Sequence, residues 1–81
     1  MFKVYAIESD STGRIYIGQT NNISKRLKMH KRGYVKSTSK DAPWRIIAIE
    51  SFSTRDKARW RENQLKKSKG SRLRWLKQYH L

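Results

Sequence analysis

Arg14-Ile15-Tyr16-Ile17-Gly18-Gln19-Thr20 is the stretch that decides the fold, with Val4-Tyr5-Ala6 running just ahead of it. Both are short apolar segments with a tyrosine in the middle, and Asp10-Ser11-Thr12-Gly13 lies between them. That tetrapeptide is a turn cluster whose glycine tolerates positive φ, so the region reads as a β-hairpin. Phe2 to Ser9 forms the first strand, with Phe2, Val4 and Ala6 on one face and Tyr5 and Ile7 on the other. Arg14 to Gln19 returns as the second, with Ile15 and Ile17 opposite Tyr16. Gly18 should end this strand where the backbone passes close to another group. Strand tyrosines usually only pack, and this pair becomes informative through Arg26, His30 and Glu62 downstream.

Charge is the strongest compositional signal. Twenty Lys and Arg face six Asp and Glu, a formal +14. Self-repulsion on that scale destabilises a compact monomer and is usually offset by a polyanionic partner. Nucleic acid is the leading candidate, ahead of an anionic membrane or an acidic protein; a generic solvated basic surface is the plain alternative. With no cysteine, disulfides and thiolate metal sites are excluded. The longest apolar run, Ile46-Ile47-Ala48-Ile49, is too short to cross a bilayer, and the N-terminus lacks the apolar core of a signal peptide. The expectation is a single soluble, cytoplasmic domain over residues 1–81, burying roughly 60–65% of its unfolded surface.

Outward from the hairpin, Thr20-Asn21-Asn22 supplies N-cap chemistry for a helix from about Asn22 to Lys31. Ile23, Leu27 and His30 share one face of it, with Arg26 at the border. A histidine ending an apolar stripe is more often a packing or capping residue than a catalytic one. Lys31 to Asp41 reads as a loop with Gly33 as the helix stop. Seven basic residues and no acidic ones lie between Lys25 and Lys40. Trp44 to Phe52 is a third strand, so continuously apolar that it should be central or well covered.

Ser53-Thr54 caps a second helix running to about Lys67 or Ser68, with Asp56 in its first turn. Its inward stripe is Ala58, Glu62 and Leu65. A carboxylate between two inward apolar residues costs free energy unless a cation or metal meets it. Two ordinary explanations compete: an ion pair with a nearby Lys or Arg, or a helix rotated to put Trp60 inside. Lys69-Gly70-Ser71 should break the chain, with Ser71 capping a short last helix docked by Leu73, Leu76, Trp75 and Tyr79. Residues 52–81 carry ten basic residues against two acidic, a second polyanion-facing surface. The element order is β-β-α-β-α-α, an α+β chain.

These residues resemble a GIY-YIG nuclease domain over nearly the whole chain, specifically a small stand-alone, excision-repair-nuclease-like member. Tyr16-Ile17-Gly18 is half of the name motif verbatim, and Lys3-Val4-Tyr5 keeps the tyrosine of the other half with lysine for glycine. Gln19 to Ile23 with Arg26-Leu27 and His30 is similar to the first-helix pattern, Pro43-Trp44 to the approach to the third strand. Ala58, Arg61-Glu62 and Leu65-Lys66 resemble the metal-binding helix. Some members carry a further polar residue after the glutamate; here the corresponding stretch is Lys66 to Lys69.

The resemblance implies a three-stranded antiparallel sheet flanked by helices and a DNA endonuclease hydrolysing phosphodiester bonds. It also implies one divalent cation on Glu62, magnesium with manganese as a substitute, since one carboxylate with water and phosphate suits magnesium. Arg26 would donate to the scissile phosphate. Tyr5 and Tyr16 are both candidates for the general base, with Tyr16 slightly favoured. A phenol of ordinary pKa about 10 is a poor base at pH 7 unless a cation lowers it; Arg26, His30 or the metal would supply that. His30 would hydrogen-bond a tyrosine or accept its proton. Lys31, Arg32, Lys36, Lys40, Lys66 and Lys67 would contact the backbone of duplex or branched DNA, which positions but does not specify. A homodimer or partner protein would serve to cut both strands or supply specificity. A non-catalytic DNA- or RNA-binding module on the same fold is the alternative.

Overall fold

The computed structural model describes residues 1–32, 39–41 and 43–81. The expected helix stop at Gly33 and the DNA contact at Lys36 fall outside them. Strands β1 (Phe2–Ser9), β2 (Ile15–Thr20) and β3 (Trp44–Phe52) form one antiparallel sheet in the order β2-β1-β3. Helix α1 (Ile23–Lys31) follows the hairpin, and α2 (Arg55–Lys67) and α3 (Lys69–Tyr79) follow β3. The expected α+β class and order β-β-α-β-α-α are what the chain adopts.

The hairpin forms where the turn chemistry places it. Ser9 Oγ accepts from the backbone N–H of Ser11 and Thr12, and Gly13 takes φ 76°. The turn is also anchored across the molecule: Ser9 Oγ donates to the Asp41 carbonyl at 2.6 Å, and Arg14 pairs with the Asp41 carboxylate at 2.6 Å. β2 does not end at Gly18 but runs on to Thr20, because Tyr5, Val4 and Lys3 continue to pair with Gly18, Gln19 and Thr20.

Alternation along β1 divides the interior into two layers. Val4 and Ala6 pack with Ile17, Ala48, Ala58, Leu65 and Trp75 under α2 and α3. Tyr5 and Ile7 pack with Trp44 under the Ile23 and Leu27 stripe of α1. β3 is an edge strand, not the central one, but both faces are covered. A bulge at the Ala6/Ile7 pairing leaves Ile47 as an extra residue on β3. The bulge turns Ile47 and Ala48 toward one layer, with Ile46 and Ile49 toward the other. The continuous apolar run therefore reflects two covered faces. The outer edge of β3 is further covered by the C-terminus, where His80 bridges Ala48 and the Leu81 N–H donates to the Ile47 carbonyl at 2.9 Å.

The last helix starts earlier than expected. Ser68 alone leaves helical geometry, at φ −126° and ψ 112°, and serves both as the end of α2 and as the N-cap of α3. Its Oγ accepts from the Ser71 N–H, so Ser71 receives the cap rather than supplying it. Trp75 is buried and Leu76 and Tyr79 pack against the core, but Leu73 is 55% exposed and does not dock.

Candidate active site

The two tyrosines meet because Tyr5 lies opposite Gly18 on the neighbouring strand, and Tyr16 precedes Gly18 by two residues on the same face. The Tyr5 ring lies across the glycine. A Cβ at position 18 would come within 2.6 Å of the Tyr5 hydroxyl oxygen, 2.8 Å of its Cζ and 3.0 Å of Tyr16 Cε1. This is the close approach expected at Gly18, and only a missing side chain permits it. The ring centroids of Tyr5 and Tyr16 are 6.5 Å apart.

Helix α1 delivers two more groups to this spot. Asn22 caps it by accepting from the Lys25 N–H at 3.1 Å, which fixes the phase of the first turn. One turn apart, Arg26 and His30 then face the sheet. His30 is fully buried, with its ring 5.7 Å from Tyr5 and 5.2 Å from Tyr16. Its Nε2 lies 2.8 Å from the Tyr5 hydroxyl. Arg26 interacts with the oxygens of both phenols, Tyr5 most strongly. Its Nε is buried and has no hydrogen-bond partner among the described residues.

The electrostatics separate the two tyrosines. Burial pushes the Tyr5 phenol up to about 12, against the opposing pull of Arg26. Burial also lowers His30 to about 4, helped by repulsion from Arg26. His30 is therefore neutral at pH 7 and supplies no positive charge to either phenol; Arg26 does. The Tyr5 hydroxyl thus lies between Arg26 and a neutral His30, its hydrogen bond to Nε2 running in the direction that the imidazole tautomer sets. Tyr5 is 1% exposed and locked in this chain of contacts, whereas Tyr16 is only half-buried.

Glu62 arrives from the other layer. Ala58 and Leu65 are fully buried and Trp60 is 63% exposed, so α2 has the expected rotation and the alternative with Trp60 inside is excluded. Glu62 sits between those two buried residues along the stripe, its side chain 15% exposed. Its charge is felt, weakly, at the Tyr5 phenol. Its partner is Lys66, four residues on, at 2.7 Å. The Lys66 ammonium in turn stands 5.7 Å from the Tyr16 ring centre. The ion pair expected as one ordinary explanation for this acid is thus present. No group of three or more metal-ligating side chains occurs among the described residues; one carboxylate with water and phosphate is a set that magnesium accepts.

Tyr5, Tyr16, Arg26, His30 and Glu62 are therefore brought together from β1, β2, α1 and α2. Of the expected DNA contacts, Lys66 lies at the site. Lys31, Arg32, Lys40 and Lys67 are exposed on the surface. One carboxylate had no role in the sequence reading. Glu50 on β3 accepts from Arg61 Nε at 3.0 Å, Trp75 Nε1 at 2.8 Å and the Tyr79 hydroxyl at 3.0 Å. It ties α2 and α3 to the sheet, and a lone acid in an apolar strand was its only signal.

A family model described as the GIY-YIG catalytic domain matches residues 1–78. The chain is similar to a structure-specific endonuclease subunit SLX1 homolog of Giardia intestinalis, 37% identical over 62 residues. That alignment covers 68% of this chain and 17% of the relative, so the chain spans under a fifth of it. It is also similar to a UPF0213 protein of Bacillus licheniformis, 38% identical over 68 residues, covering 82% of this chain and 70% of the relative. No solved structure matches.

Proposed function

The chain belongs to the GIY-YIG family of nuclease catalytic domains, and on that premise we propose that it is a divalent-metal-dependent DNA endonuclease with little sequence preference of its own. The observation that carries this reading is the Arg26 guanidinium, set against two phenols with a buried Nε that has no acceptor among the described residues. A buried unmatched donor costs about 1–3 kcal/mol. Arg26 also lines an open cleft with Gln19, Thr20 and Asn21, where its planar guanidinium would suit a phosphate.

Arg26 then binds the scissile phosphate and stabilises the charge that builds there. Tyr16, on the more open side, orients the attacking water and, as the phenolate, takes its proton while the water oxygen bonds to phosphorus and the bond from phosphorus to the leaving sugar oxygen breaks, that oxygen taking a proton from solvent. Tyr5, with its pKa raised to about 12, keeps its proton at neutral pH and positions Arg26. The Glu62 carboxylate is a hard oxygen donor of the kind that would suit a divalent cation, which would compete there with Lys66. When bound, magnesium or manganese supplies Lewis acidity toward the phosphate and the leaving oxygen.

The basic surface, with Lys31, Arg32, Lys40, Lys66 and Lys67 exposed, supports backbone binding without base readout. The Giardia relative is named a structure-specific endonuclease subunit, which supports branched DNA as the preferred substrate and a protein partner for specificity. No helix among the described residues is long and apolar enough to cross a membrane.

End-labelled duplex and branched DNA incubated with magnesium or manganese test the reading. Wild type is expected to cut, Glu62→Gln and Tyr16→Phe to lose about 100-fold or more in rate, and chelation to abolish cutting. Binding without cutting above a Glu62→Ala control would establish the second reading, a non-catalytic DNA- or RNA-binding module. The Glu62–Lys66 ion pair is the observation that favours it.

A further inference from the structure

Two clefts flank the candidate site along β2, and most of their lining residues have no role in the chemistry described above. One lies at the C-terminal end of β2 and is lined by Phe2, Gln19, Thr20, Asn21, Arg26, Arg55 and Arg59. The other lies toward the hairpin turn, where Ile15, Tyr16 and Ile17 face Lys66, Lys69, Arg72, Leu73 and Leu76. Each shares members with the site: Arg26 with the first, Tyr16 and Lys66 with the second.

Helix α2 runs past both. Arg55, Arg59, Glu62 and Lys66 recur at spacings of four, three and four and form one stripe of the helix. Arg55 and Lys66 stand about 16 Å apart along the axis, with Glu62 between them. The cations of the first cleft are not spent on internal pairing. Among the described residues none of Arg26, Arg55 and Arg59 forms an ion pair with a carboxylate. Arg55 is also pre-positioned, its guanidinium 5.3 Å above the Phe2 ring centre. The second cleft is mixed. Beside Lys66, Lys69 and Arg72 it exposes Ile15 (41%) and Leu73 (55%), apolar surface that inorganic anions would not use and that sugars and bases would cover.

We infer that one DNA strand lies along the clefts beside β2, with its phosphates held by Arg55 and Arg59 on one side of Arg26 and Glu62 and by Lys66, Lys69 and Arg72 on the other. The occupant follows from charge and pattern: cations at both ends, one carboxylate at the centre, and apolar surface on one flank only. The placement of the cut between the two subsites rests on the nuclease reading; the binding track does not.

The test uses Arg55→Gln/Arg59→Gln, both exposed residues, with Lys57→Gln/Arg74→Gln as a control that removes the same charge outside both clefts. Binding of fluorescein-labelled branched DNA is measured by anisotropy from low to high KCl in the absence of divalent metal. Cleavage is measured separately with magnesium. The first double variant should lower the slope of log K against log salt by about two. It should also raise KM by about tenfold or more, with kcat at saturating DNA near wild type. The control should change the slope by less than half as much. If wild type cuts DNA but slope and KM stay at wild-type values in the double variant, the track is wrong and the nuclease reading stands. A lowered slope in a protein that cuts nothing would keep the track and remove the nuclease reading. Equal effects of variant and control would reduce the result to net charge and overturn the subsite.

Discussion

Under α2 and α3 the sheet buries Val4, Ala6, Ile17 and Ala48 against Ala58, Leu65 and Trp75, whereas under α1 it buries Tyr5, Ile7 and Trp44 beside His30. The same strands supply both layers, and each layer contains a charged group. Their hydrogen bonding differs. Glu50 in the α2/α3 layer receives three donors, from Arg61, Trp75 and Tyr79. Arg26 in the α1 layer keeps a buried Nε without a partner among the described residues. A satisfied buried charge fixes how elements dock, while an unsatisfied one retains free energy for a ligand to recover. The contrast separates the Glu50 cluster, which ties α2 and α3 to the sheet, from the Arg26 cluster, which keeps a donor unmatched.

The sharpest way to break that division is Trp75→Ala, which empties the α2/α3 layer and removes one Glu50 donor. It should cost about 3–5 kcal/mol of stability by urea denaturation, while the fraction still folded retains the wild-type affinity for DNA. Loss of affinity in the folded fraction would show that the two layers are coupled.

The next effect concerns pH. His30 titrates at about 4 in the folded chain against about 6.5 when unfolded, so the unfolded state takes up a proton first as pH falls. Stability from this group is full above 6.5 and is lost as pH drops toward 4, by about 3 kcal/mol at most. His30→Gln should flatten that part of the curve of urea midpoint against pH. An equally steep curve in the variant would assign the acid loss to the carboxylates instead.

A smaller effect is expected from Gly18→Ala. The added Cβ meets the Tyr5 ring at 2.6–2.8 Å, an overpacking cost of about 1–3 kcal/mol. Because Tyr5 must move, DNA cleavage should fall by a larger factor than in any variant of the α2/α3 layer with the same stability loss. Equal activity at equal stability would show that the Tyr5 position is immaterial to the site.

Much of this was legible along the chain. The bounds of β1 and β3, the N-cap of α1 and the rotation of α2 follow from alternation, cap chemistry and helical spacing, which act over a few residues. The stripe Arg55, Arg59, Glu62 and Lys66 was legible in the same way but drew attention only at Glu62, because charges on a helix are usually solvated. Leu73 was misjudged because a leucine's preference for burial says nothing about whether a neighbouring element reaches it. Ser68 is expected only as a possible end of α2, and its role as the N-cap of α3 is masked by the stronger breaker chemistry of Gly70 and Ser71.

By itself, then, the sequence determined the elements and the residue types available for chemistry: Tyr16-Ile17-Gly18 as a strand with a phenol and a bare backbone site, and an acid on an inward helical stripe. Only the tertiary structure decided that Tyr5 is the buried phenol and Tyr16 the more accessible one, that β3 lies at an edge with a bulge at Ile47, and that Glu62 pairs with a Lys66 standing beside Tyr16. The physical reason is range. Strand alternation and helix capping are set by neighbours in sequence, but the desolvation of Tyr5 and His30 depends on the sheet order β2-β1-β3 and on how the helices cover it, which packing alone selects.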